Sequence, residues 1–150
     1  MLNYRLPWIY RVQGDSMSPT LQSDDVLLVG RLRGRNPVLR RGDIVVVDAS
    51  GSSEGFRYYV KRVVGMPCER VTLRDGLLMI NEEHFREPYL NGLPACAFAE
   101  SGSWQLGNEE YFVMGDNRTD SADSRAYGPV TAILARVSRT IWPLRRWHRF

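Results

Sequence analysis

The chain has 150 residues, 43% of them hydrophobic and 25% charged, with a formal net charge of +3. That length and composition suit one domain burying roughly two thirds of its unfolded surface, and they exclude a disordered or low-complexity chain. No stretch approaches the roughly eighteen apolar residues needed to cross a bilayer, and the opening MLNYRLPWIYRVQ lacks a long apolar region, so no transmembrane segment is expected in the chain as written.

In chain order, Asp24 to Val29 and Asp43 to Asp48 are short β-branched runs that read as strands, the second introduced by the turn pair Arg41-Gly42. The Ser/Gly-rich stretch Ala49 to Gly55 reads as a loop leading into a third strand, Tyr58 to Gly65. Val71 to Leu73 and Leu77 to Ile80 flank Arg74-Asp75-Gly76, a predicted hairpin turn because Asp-Gly readily takes positive φ. Gly, Pro and polar residues then break any period, so residues 81–108 are expected to form an irregular excursion from the main sheet. Tyr111 to Met114 is a further strand, ending at Gly115. Thr131 to Thr140 has a helical period, although Val137 to Ile141 suits a strand equally. Residues 1–150 therefore read as one mostly antiparallel β domain with little helix.

Cys68 and Cys96 form either a disulfide or two free thiols, and the sequence does not decide between them. With only the scattered His84 and His148 beside them they make no recognisable ligand set, so no metal and no cofactor is expected. Arginines cluster at Arg31 to Arg41 and Arg145 to Arg149, the latter interleaved with Trp142, Trp147 and Phe150. This pattern suits anionic lipid head groups at least as well as RNA, and nucleic acid is not expected as a partner.

Among twenty cationic side chains there is a single lysine, Lys61. Arginine stays charged in a protein, whereas burial can strip a lysine of its proton and turn it into a base. For use near pH 7 the amine would have to fall by roughly three units, about 4 kcal/mol of destabilised ammonium, which requires a dry pocket. The strand around Lys61 is apolar enough for that, although on the strand pattern alone Lys61 would face solvent as most lysines do. A serine needs such a base to become a nucleophile, and the isolated histidines make a Ser-His-Asp triad improbable. Two polar segments supply candidate partners. In Gly14-Asp15-Ser16-Met17-Ser18-Pro19-Thr20-Leu21 a glycine permits close approach and a proline stiffens the turn that presents Ser16. Gly115-Asp116-Asn117-Arg118 continues through Ser121, Asp123, Ser124 and Arg125 directly after an apolar strand.

The segments GDSMSPTL, RGDIVVV with YVKRVVG, and GDNRTDSADSRAYGPV occur in this order and resemble the conserved boxes of type I signal peptidases, the Ser/Lys membrane endopeptidases. INEEHFREPYL is similar to the stretch that follows the lysine box, and WPLRRW to the end of the mitochondrial inner-membrane branch. The resemblance implies antiparallel β-sheets forming a partly open barrel, with Ser16 as nucleophile and Lys61 as general base. It further implies that Ser121 orients the lysine, that Asp123 and Arg125 support the site, that Gly115, Asp116 and Asn117 form the tight turn beside it, and that Gly14 and Met17 meet the substrate. The Ser16 N–H would donate to the oxyanion. Part of the family carries a serine or threonine where this chain has Gly14, which leaves the second oxyanion donor unassigned, and family members normally carry a transmembrane anchor ahead of the serine box, where only about a dozen residues precede it here. Either the chain is a soluble version or a truncation, or Leu6 to Tyr10 together with an exposed apolar surface docks on the bilayer. Expected partners are preproteins with cleavable leader peptides, cut after small residues, and a membrane surface, with the catalytic domain on the extracytoplasmic side. The alternatives are a self-cleaving regulator of the LexA type, a maturation protease dedicated to one partner, and a non-enzymatic basic module that binds membrane or nucleic acid.

Overall fold

The computed structural model describes residues 8–32, 38–48, 58–97, 100–146 and 148–150. Leu6 and Pro7, the Ala49 to Gly55 loop, part of the Arg31 to Arg41 cluster, and Trp147 lie outside the described residues. Two antiparallel sheets organise the rest. The larger contains β1 (Trp8–Arg11), β2 (Val26–Arg31), β3 (Ile44–Asp48), β4 (Tyr58–Gly65), β9 (Phe112–Met114), β10 (Ile133–Trp142) and β11 (His148–Arg149), and the smaller contains β5 (Arg70–Arg74), β6 (Leu77–Ile80), β7 (Glu83–His84) and β8 (Gly102–Gln105). The single α-helical turn described, α1, spans Ser124–Tyr127.

The large sheet runs β1-β2-β10-β3-β4-β9, with β11 added to β10. Four inter-strand steps of about 4.8 Å would put β1 roughly 19 Å from β4 in a flat sheet. Instead the rings of Tyr10 on β1 and Tyr58 on β4 meet edge to face with centroids 6.0 Å apart. The sheet is therefore strongly curled without closing. Both of its faces are covered, which is why β3 reads as an unbroken run rather than an alternation. Ile44 and Val46 enter one core with Val12, Met17, Leu21, Leu27 and Val29, while Val45 and Val47 join Leu39, Val63 and Val113 in another.

Strands β5 and β6 are joined by Asp75-Gly76, both at positive φ (53° and 76°), the two-residue hairpin that the Asp-Gly pair predicts. Segment 81–108 is less irregular than its composition suggests. Glu83–His84 extends the small sheet, and Gly102–Gln105 pairs antiparallel with β5, its Trp104 packing on Phe112 of the large sheet at a centroid distance of 4.7 Å. Thr131 to Thr140 is not helical, because β10 pairs with both β2 and β3. Cys68 and Cys96 are separate free thiols, one exposed and one buried.

Candidate functional site

Ser16 sits in the connection between β1 and β2. A bond from the Ser18 N–H to the Asp15 carbonyl (2.9 Å) closes the turn, and Met17 and Leu21, 2% and 0% exposed, anchor it in the core beside Val46. Gly14 enters the turn at φ +80°, a conformation side chains disfavour. Lys61 comes from β4, forty-five residues away in sequence, and its Nζ donates to Ser16 Oγ at 2.7 Å. Lys61 is only 3% exposed. The two line a cleft of about 460 Å³ whose walls include Tyr10, Gln13, Tyr58 and Val60. Met17 borders the same cleft but is almost fully buried, so its side chain props the turn more than it offers surface.

The loop after β9 grips the Ser16 turn from below. Asn117 donates its N–H to the Ser16 carbonyl (3.0 Å) and its Nδ2 to the Asp15 carbonyl (3.2 Å). Asp116, 2% exposed, accepts from the Thr20 hydroxyl and, in a forked pair, from Arg62 Nε (2.8 Å) and Nη2 (2.6 Å). Gly115 is required by space. A Cβ there would collide with the Ser16 carbonyl oxygen and with Ser121 Oγ and Cβ. Asp123 is fully buried, caps α1 through the Arg125 N–H, accepts from the Gly115 N–H (2.9 Å), and pairs with Arg125 Nε (2.8 Å) and Nη2 (2.9 Å). Burial alone would raise its carboxyl, but the Arg125 and Gly115 donors outweigh that and hold it below the ordinary carboxylate range.

The structure thus brings Ser16, Lys61, Gly14, Gly115, Asp116, Asn117, Ser121, Asp123 and Arg125 to one place. One expected contact is not formed. Ser121 lines the cleft, yet its buried Oγ makes no hydrogen bond to Lys61; it lies where a Gly115 Cβ would sit and near enough to the Asp123 carboxylate to help hold it ionised. Sequence reasoning assigned nothing to Thr20, Arg62, Glu87, Tyr89 or Arg118, all of which join this network. The available signal was Arg62 itself, an arginine beside the lysine on an apolar strand, which needs a buried counter-ion.

A buried amine bonded to a hydroxyl at the mouth of a cleft, on a curled β-sheet, is the kind of site that serine–lysine hydrolases use. Residues 5–142 match the family model described as "Signal peptidase, peptidase S26". The chain is 38% identical over 123 residues to "Signal peptidase I T" of Bacillus subtilis, covering 77% of this chain and 62% of that protein, and 33% identical over 151 residues to "Signal peptidase I" of Bacillus caldolyticus, covering 92% and 81%. A crystal structure of a signal peptidase I from Enterococcus faecalis superposes with a TM-score of 0.56 at 28% identity, over 67% of this chain and 96% of that one. The chain belongs to the signal peptidase family, peptidase S26. The chain spans under two thirds of the length of the B. subtilis relative and about four fifths of the B. caldolyticus one.

Proposed function

We propose that the chain is the catalytic domain of a membrane-associated serine endopeptidase that cuts signal or leader peptides from exported preproteins, with Ser16 as nucleophile and Lys61 as base. The observation that carries the reading is the 2.7 Å contact between Lys61 Nζ and Ser16 Oγ, made by an amine 3% exposed. With the amine neutral, the same contact runs in reverse: the Ser16 hydroxyl donates to the Nζ lone pair. Exclusion from water favours the neutral form, whereas the Tyr59 ring 5.6 Å from Nζ favours the cation, and the reading requires burial to win.

In the reaction, Ser16 Oγ attacks the scissile carbonyl carbon as Lys61 takes the hydroxyl proton. The C–N bond then breaks and Lys61 returns that proton to the leaving amine. A water deprotonated by Lys61 next attacks the acyl carbon, and as the bond to Ser16 Oγ breaks Lys61 passes that proton to Oγ, restoring the hydroxyl and the neutral amine. The Ser16 N–H stabilises the oxyanion, and Gly14 offers no side-chain donor to help it. The substrate lies extended in the cleft between Tyr10 to Gln13 and Tyr58 to Val60, where main-chain bonds set its register and the cleft walls select small side chains.

Exposed Ile9, Trp142 and Leu144 on or beside β1 and β10 support attachment to a bilayer; the proposed extracytoplasmic side follows from exported preproteins being the substrate. Among the described residues no helix is long and apolar enough to cross a membrane. The test is cleavage of a leader peptide ending in Ala-x-Ala, with and without anionic vesicles. Ser16→Ala and Lys61→Arg should each abolish cleavage while leaving the folded spectrum intact. Residual activity in Lys61→Arg near the wild-type level would overturn the base assignment, since a guanidinium does not lose its proton.

A further inference from the structure

Lys61 and Arg62 are neighbours on β4, so their side chains leave the strand on opposite faces, Lys61 to bond Ser16 and Arg62 onto the face it shares with its β3 partner Ile44. There Arg62 is fixed by three means: its fork on Asp116, a bond from Nη1 to the Gly42 carbonyl (2.8 Å), and the ring of Tyr89 lying 4.0 Å from its guanidinium carbon. Tyr89 belongs to the 3-10 turn Pro88–Leu90 that follows the small sheet. Its hydroxyl donates to Glu87, and Glu87 forms a forked pair with Arg118, with side chains 3% and 5% exposed respectively. Arg118 in turn donates to the Gly115 carbonyl (2.9 Å) and the Ala95 carbonyl (2.7 Å). Gly115 and Asn117 of this loop are the residues packed against Ser16.

The Glu87–Tyr89 segment therefore touches both halves of the Ser16–Lys61 pair through one intermediary each. Tyr89 backs the arginine adjacent to the lysine, and Glu87 backs the arginine that holds the loop under the serine. The geometry points to Glu87 and Tyr89 as positioning residues for the cleavage reaction, through which the small sheet sets the distance between Ser16 Oγ and Lys61 Nζ. This rests on the serine–lysine reading above. The two residues meet neither substrate nor reacting atoms. Burial, together with the Glu87 charge, pushes the Tyr89 phenol far above its ordinary value, so the ring acts as a neutral donor at any working pH.

A positioning role separates kcat from KM. Removing the aromatic face in Tyr89→Leu should lower kcat for the Ala-x-Ala leader peptide by about tenfold or more, because misplacement of a reacting pair by a fraction of an ångström is that costly, while KM stays within about twofold. Tyr89→Phe keeps the stacked ring and should recover most of that loss. Glu87→Gln, which keeps the side chain's shape but leaves Arg118 without a full counter-charge, should reproduce the kcat defect and shift the acid limb of the kcat/KM profile. All rates are normalised to the folded fraction by near-ultraviolet circular dichroism at low temperature, so that a variant losing structure is not scored as a catalytic loss. If Tyr89→Leu unfolds, Glu87→Gln carries the test. Wild-type kcat and an unchanged pH profile in folded Tyr89→Leu or folded Glu87→Gln would overturn the inference. Ser16→Ala is run in parallel: cleavage surviving in it sinks the serine–lysine reading itself, whereas an inactive Ser16→Ala beside fully active Tyr89→Leu and Glu87→Gln removes only the positioning role.

Discussion

Gly115 offers the sharpest test of how the loop controls Ser16, the proposed nucleophile. It does not adopt a positive φ, so alanine fits its backbone conformation and any penalty is a matter of space. The new methyl would overlap three atoms, two from the Ser121 side chain and one the Ser16 carbonyl oxygen. Ser121 can turn away. The Ser16 carbonyl is backbone, tied to the Asn117 N–H at 3.0 Å, and moves only with the serine it belongs to. Overpacking of this kind costs about 1–3 kcal/mol of stability, and a shift of several tenths of an ångström at Ser16 should lower kcat/KM on the order of tenfold to a hundredfold. Urea denaturation and leader-peptide cleavage measure the two effects separately. Combining Gly115→Ala with Ser121→Gly removes the side-chain overlap and leaves the carbonyl one, so stability should partly return while activity stays low. Gly115→Ala cleaving within twofold of wild type would refute the claim that the loop sets the position of Ser16.

The other predictions concern the buried charges. Asp116→Ala leaves the 6%-exposed Arg62 without its carboxylate and should cost about 3–5 kcal/mol in urea denaturation, with activity falling even in the folded fraction. Asp123→Asn should cost about 2 kcal/mol at pH 7, since it weakens hydrogen bonds made to a charged acceptor. Its pH dependence has a definite sign. The folded-state pKa of Asp123 lies below the unfolded value, so its contribution is present above the ordinary carboxylate range and is lost as pH falls through the folded value. Wild type should therefore lose stability in acid more steeply than Asp123→Asn, and parallel acid limbs in thermal melts would contradict this.

Where local pattern and tertiary environment agree, the sequence was readable. Tyr58 to Gly65 and Leu77 to Ile80 match β4 and β6 residue for residue. Asp24 to Val29 was read two residues too early, because Asp24 sits at φ +71° in the turn and Asp25 accepts from the Gln22 N–H, so pairing starts at Val26. β10 resembled a helix because register shifts between Val137 and Arg139 and between Thr140 and Trp142 insert extra residues and spoil the two-residue period. β8 was invisible since GSWQ alternates only half-exposed and exposed positions and offers no apolar face until β5 lies beside it. The boxes marked the site itself. Its wiring was illegible because Arg62–Asp116 and Arg118–Glu87 join residues 54 and 31 positions apart, and no periodicity encodes such pairs.

The choice of cations explains why one lysine among nineteen arginines is not an accident of composition. Arg62, Arg118 and Arg125 all hold the loop through buried or half-buried forks onto carboxylates. Burial works against the charge of Arg118 and Arg125, yet Glu87 and Asp123 more than offset it and raise both above the ordinary guanidinium value. Their charge is therefore independent of pH across any working range, and the planar fork fixes direction as well as sign. A lysine in any of these places would offer a point charge that burial could discharge, and the loop under Ser16 would loosen as it did so. On the role proposed for Lys61 the requirement at position 61 is the opposite, since a base must be able to lose its proton beside the hydroxyl it activates. On the proposed serine–lysine reading, structural cations that never titrate surround one cation that can, and that division directs the proton transfer to the contact between Lys61 and Ser16.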